Sequence, residues 1–83
     1  MTKENCFEKI QEMIAETAGL DKEEVRPDSN MVYDIGLNSM EMLGLLSTIE
    51  NAFSIHIPEK VLRTFVTLQD IVDYVSAESG EKA

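Results

Sequence analysis

A helix start is encoded at residues 38–42 more strongly than any other element of the chain. Asn38 is a good N-cap residue, and Glu41 stands three positions later, where its carboxylate can reach back to close a capping box. Apolar residues then recur at Met42, Leu45, Leu46, Ile49 and Phe53, the spacing of one helix face. A helix over Ser39–Phe53 follows, entered from the turn Asp34-Ile35-Gly36-Leu37. Ser39 is its first residue, exposed and near the positive end of the helix dipole. Unpaired N–H groups and the dipole both favour a phosphate at such a place. A serine there can be phosphorylated or esterified at modest electrostatic cost.

The rest of the chain supplies partners for that helix. Phe7, Ile10, Ile14 and Thr17/Ala18 mark the inner stripe of a first helix over about residues 3–17, ended by Gly19. Residues 19–37 form a long connection whose centre, Pro27-Asp28-Ser29-Asn30, is rich in turn formers. A structureless loop of that length is unusual in a compact domain. Leu20, Val25, Met31, Val32, Ile35 and Leu37 are the apolar anchors expected to pin it over the core. Pro58 suits the start of a short helix over 59–64, and Thr67 caps a last helix, with Asp70 three positions on and Leu68, Ile71, Val72 and Val75 facing inward. The expectation is an all-α, small four-helix bundle: three longer helices, one short one, a long first loop and negligible strand. Residues 1–77 make the single domain, and 78–83 are expected to fray.

Charge and cysteine content limit the partners. The chain of 83 residues carries 16 acidic and 7 basic side chains, a formal net charge of −9. Nucleic acid and anionic membranes reward Lys and Arg clusters and are poor partners; basic protein surfaces suit it better. From Pro27 to Pro58 the only charged residues are Asp28, Asp34, Glu41 and Glu50. Cys6 stands alone, so no internal disulfide forms, and a reducing cytoplasm fits. It reads as a small core or boundary residue. No leader sequence or apolar run of spanning length is visible. A cytoplasmic monomer is expected.

Catalytic and metal chemistries find little support. Asp28-Ser29-Asn30-Met31-Val32-Tyr33 opens like a calcium loop, then places Tyr33 where a glycine is needed and Ser39 where a bidentate glutamate is needed. His56 is the only histidine. It lies beyond the far end of a helix roughly 20 Å long, too far to serve Ser39 as a base. One Cys and one His, well separated, make no metal site. No catalytic residue and no metal ligand is assigned.

The segment Asp34-Ile35-Gly36-Leu37-Asn38-Ser39-Met40 resembles the hallmark Asp-x-Gly-x-Asp-Ser-[Leu/Met/Ile] of the acyl carrier protein family. The likeness continues through Leu43, Leu45, Leu46, Ile49 and Phe53, through Ile55-His56-Ile57-Pro58, and through Thr67-Leu68-Gln69-Asp70-Ile71-Val72-Asp73-Tyr74-Val75. It implies that Ser39 carries a 4′-phosphopantetheine arm, installed from coenzyme A by a phosphopantetheinyl transferase. The arm's thiol then holds an acyl, polyketide or aminoacyl cargo as a thioester for a loading enzyme and for downstream synthase or transferase enzymes. Such a carrier needs no catalytic residues of its own. The alternative is an unmodified small acidic helical interaction module, in which Ser39 is only a helix-start residue.

The resemblance also gives roles to neighbours of the serine. Asp34, Gly36, Leu37, Asn38, Met40, Glu41, Gly44 and Ser47 are its motif and partner-recognition positions, and Met42, Leu46 and Ile49 are candidates to face cargo inside the bundle. The chain departs from the family at Asn38, where an aspartate is usual. It departs again at Gly44 and Asn51, where related fatty-acid carriers usually present acids. A bulky Met42 argues against a dedicated long-chain fatty-acyl role. The missing acids point to a specialised pathway whose enzymes meet Met40 and a flatter, less charged helix face. Gly44 has a structural alternative, relief of crowding by a nearby loop.

Overall fold

The computed structural model describes residues 3–79, and among them the architecture is all-helical. Four α-helices follow in order: α1 (Lys3–Ala18), α2 (Ser39–Phe53), α3 (Glu59–Leu62) and α4 (Leu68–Glu78). Helix α1 is central, packing against both α4 and α2. Its inner stripe, Cys6, Ile10 and Ile14, is fully buried against Leu45 and Ile49 of α2 and Leu68, Ile71, Val72 and Val75 of α4 in one core. Gly19 ends α1 in the left-handed region at φ +71°. There the N–H of Leu20 reaches the carbonyl of Ala15 at 2.9 Å and that of Gly19 the carbonyl of Glu16 at 3.4 Å. Two carbonyls left over at the helix end are thereby satisfied.

The long connection is ordered by polar ties as well as by apolar anchors. Residues Lys22–Glu24 form a 3₁₀ turn capped by Asp21, an element absent from the sequence-based expectation. Gln11 of α1 donates its amide to the carbonyls of Lys22 and Val25 at 3.0 and 2.8 Å. The far half is stitched to the start of α4. Leu68 N–H donates to Ser29 O, Gln69 N–H to Pro27 O and Met31 N–H to Val66 O. An isolated antiparallel bridge pairs Asn30 with Thr67. Val25, Met31, Ile35 and Leu37 are buried as expected, and Leu20 is half-buried. Val32 is not an anchor: it lies exposed, because the turn at 30–35 puts Met31 inward and its neighbour outward.

Two boundaries differ from expectation. Helix α3 stops at Leu62 rather than 64. Thr64 leaves the helix as its N–H and hydroxyl both turn back to the carbonyl of Val61, at 2.9 and 2.6 Å, and Phe65 drops into the core. At the other end Glu78 still belongs to α4, and Ser79 N–H closes the helix on Val75 O at 2.9 Å. Of the tail expected to fray, residues 80–83 lie outside the described residues. Among the described residues no helix is long and apolar enough to cross a membrane.

Candidate functional site

The turn before α2 is organised by Asn30. Its side-chain Oδ1 accepts from the N–H groups of Val32 and Tyr33, both at 2.9 Å. Its backbone carbonyl accepts from Asp34 and Ile35, and Asp34 Oδ2 accepts from Asn30 N–H at 2.8 Å. Asp34 therefore acts by closing the turn. Gly36 then takes φ +85°, a conformation that side chains disfavour, and swings the chain into α2. Leu37 is buried and its N–H donates to Met31 O at 2.9 Å. Its side chain is packed in the core at the helix start.

Helix α2 begins with the expected reciprocal cap. Asn38 Oδ1 accepts from Glu41 N–H at 2.8 Å, and Glu41 Oε1 accepts from Asn38 N–H at 3.0 Å. The box uses the N–H groups of Asn38 and Glu41, and Met42 N–H closes the first turn on Asn38 O. None of the described residues accepts from the N–H of Ser39 or Met40. Ser39 is exposed beside these two free donors, at the positive end of a 15-residue helix. An anion bonded through the Ser39 oxygen meets hydrogen-bond donors rather than a buried acid.

The serine also opens onto an apolar cleft of about 280 Å³, lined by Met31, Val32, Met42, Leu43, Leu62 and Phe65. Of the three side chains expected to face cargo, only Met42 lines it. Leu46 lines a neighbouring cleft near His56, and Ile49 is sealed in the core. Leu43, Leu62 and Phe65 were not anticipated as lining residues. Leu43 lies one turn after Ser39 on the same helix, whereas Leu62 and Phe65 come near it because α3 and the segment after it fold back on α2, of which periodicity within one helix carries no trace.

The outer face of α2 matches the helical-wheel expectation. Met40, Gly44, Ser47 and Asn51 are all exposed. A Cβ added at Gly44 meets nothing within 4 Å, so relief of crowding does not explain that glycine. His56 is exposed with Nδ1 3.5 Å from Glu50, on the rim of the cleft that Ser39 does not line. Among the described residues no group of His, Cys, Asp and Glu could hold a metal ion.

Ser39 thus stands beside two N–H donors and at the mouth of an apolar cleft, a place where a phosphate ester meets donors. A family model described as "Phosphopantetheine attachment site" matches residues 8–75. An acyl carrier protein of Guillardia theta is 38% identical over 76 residues, spanning 92% of this chain and 94% of that protein. An acyl carrier protein of Phytoplasma mali (strain AT) is 35% identical over 69 residues, spanning 83% of this chain and 82% of its own length.

Proposed function

Because this chain belongs to the acyl carrier protein family, and is thus a phosphopantetheine-bearing carrier rather than a catalyst, we propose that Ser39 is the attachment point. One observation carries this reading: Ser39 is an exposed hydroxyl at the α2 N-terminus, flanked by two unpaired N–H groups and an apolar cleft. In the loading step Ser39 Oγ forms the new P–O bond to the pantetheine-bearing phosphorus of the coenzyme A diphosphate. The bridging P–O bond of that diphosphate breaks, the adenosine 3′,5′-bisphosphate leaves, and the serine hydroxyl proton passes to a base on the transferase. The chain's own part is to present the oxygen on a fixed helix start and to place donors beside the phosphate. Once attached, the arm supplies a thiol that holds cargo as a thioester. A long tether also raises the cargo's effective concentration at each partner's active site.

Cytoplasmic location and monomeric state belong to the same proposal, supported by the lone cysteine and the strong net negative charge. The pathway is a specialised one, because the exposed face of α2 lacks the acids that related fatty-acid carriers present. The cargo is not a dedicated long fatty chain: the bulky Met42 lines the cleft beside Ser39, while Leu46 lines a different cleft and Ile49 is sealed in the core. Strong thermal stabilisation of a long-chain acyl form over the arm-only form would refute that cargo assignment.

Intact mass after incubation with coenzyme A and a broad-specificity phosphopantetheinyl transferase tests the attachment. One phosphopantetheinyl group is expected on the wild type and none on Ser39→Ala. No addition to the wild type, or addition that persists in Ser39→Ala, rejects Ser39 as the site.

A further inference from the structure

Two side-chain oxygens of the run that opens like a calcium loop, those of Ser29 and Asn30, are engaged by the chain's own backbone. Ser29 Oγ accepts from Arg26 N–H at 2.8 Å, and Asn30 Oδ1 accepts from the N–H groups of Val32 and Tyr33, both at 2.9 Å. Asn30 stands on fixed ground. It bridges to Thr67, while Ser29 O accepts from Leu68 N–H and Met31 N–H donates to Val66 O, all at or just before the start of α4. Beyond Asn30 the chain turns and runs to the serine. Asp34 and Ile35 N–H close the turn on Asn30 O, and Leu37 N–H, two residues before Ser39, donates to Met31 O. Met31 and Val32 also line the cleft onto which Ser39 opens. The turn between these two anchored ends carries Val32, 57% exposed, and Tyr33, 87% exposed, so polar ties rather than packing fix where it stands.

We propose that Asn30 is a positioning residue for the modification of Ser39, holding the Val32–Tyr33 turn clear of the path to the serine hydroxyl. The inference deepens the attachment reading and rests on it. Asn30 acts through the turn, not on the serine. Without its side-chain oxygen the N–H groups of Val32 and Tyr33 turn to water, which replaces the bonds but not the geometry. Little packing then opposes a swing of these two exposed residues. The fold outlasts the loss, because Met31, Ile35 and Leu37 remain buried on either side. A turn that visits several positions leaves only a fraction of molecules with the serine open, and the apparent affinity of a modifying enzyme falls by that fraction. Chemistry in the bound complex is unchanged, since the Asn38–Glu41 cap that presents Ser39 is intact. The effect therefore falls on KM rather than kcat.

Steady-state loading of the apo chain with coenzyme A and a broad-specificity transferase, followed by intact mass, tests this. Asn30→Ala should raise KM for the carrier about fivefold and leave kcat within about twofold. Asn30→Asp keeps an oxygen for both N–H groups and should return KM to within about twofold of the wild type. In Asn30→Ala, amide exchange followed by NMR should speed about tenfold at Val32 and Tyr33 and stay unchanged at Glu41, whose N–H belongs to the cap. Circular dichroism melts show which variants are folded at the assay temperature. Loading constants of Asn30→Ala equal to those of the wild type overturn the proposal, as does a KM that Asn30→Asp fails to restore. An Asn30→Ala that is unfolded, or whose kcat falls at constant KM, also overturns it, since the side chain then serves the fold or the chemistry rather than access. All these outcomes leave Ser39 as the attachment point. A wild type that does not load, or a Ser39→Ala that does, is a separate result and removes the attachment reading together with the positioning role.

Discussion

Gly44 sits in the interior of an exposed helix face where no neighbour needs the space of a missing Cβ. Glycine there costs about 1 kcal/mol relative to alanine, so Gly44→Ala should stabilise the fold by about that amount in urea unfolding. A neutral or destabilising result would mean that the helix uses the glycine in a way its surroundings do not reveal. Asn38 poses a different question. Its side chain caps through a carbonyl oxygen, which aspartate supplies equally well, and a negative charge at that helix end is worth about 0.3–1 kcal/mol. Asn38→Asp should therefore fold at least as stably, while loading faster with some transferases. Unchanged loading rates across several transferases would show that this charge is not part of their recognition. The cap and the outer positions Met40, Gly44 and Ser47 were legible because they follow from local chemistry and a fixed angle per residue. The exposure of Tyr33 and Val32 was not, since it depends on which way one turn faces.

The last helix depends on a carboxylate in the same way that α2 depends on Glu41. Asp70 Oδ2 accepts from the N–H groups of Thr67 and Val66, both at 3.0 Å, and Thr67 Oγ1 accepts from Asp70 N–H at 3.3 Å. The backbone hydrogen bond from Thr67, then that from Val66, lowers the Asp70 carboxyl below its ordinary value of 3.8. A depressed carboxyl contributes stability that is complete above the unfolded-state value and is lost as pH falls through the lower, folded-state one. Asp70→Asn should thus lower the melting temperature at neutral pH and flatten the loss of stability below about pH 4 relative to the wild type. Parallel acid limbs for the two proteins would show that this cap does not stabilise the ionised form. The four helices were legible because each pairs an apolar period with a cap or a breaker: Asn38 and Glu41, Thr67 and Asp70, Gly19, Pro58. Helix α3 came out shorter because Thr64 bonds back to Val61, a local competition that no periodicity records. The 3₁₀ turn at Lys22–Glu24 was missed for a related reason: it has no apolar stripe and is held by Gln11 of another element.

At the scale of the whole molecule, charge and function are separated in space. The chain carries a formal net charge of −9, yet Met40, Gly44, Ser47 and Asn51 on the exposed stripe of α2 contribute none of it, and the two acids of that helix each bond a backbone N–H group. A strongly acidic body attracts any basic enzyme at long range, but docking register is set by charges at the contact, and Gly44 and Asn51 supply none. Enzymes of general fatty-acid synthesis that meet their carriers through basic patches should consequently bind this carrier weakly. Restoring acids on the exposed stripe, by Gly44→Glu together with Asn51→Glu, should improve their turnover of the loaded carrier. Both positions are exposed and the first is sterically open, so the fold should accept the change. The gain should shrink as salt rises through the range where the Debye length falls from about 10 Å to about 3 Å, because the added contacts are exposed ion pairs. Steady-state rates of such an enzyme on wild-type and doubly substituted loaded carriers, measured across that range, distinguish the possibilities. Efficient use of the wild type, or a gain indifferent to salt, would mean that partner choice is set by shape and apolar contact alone.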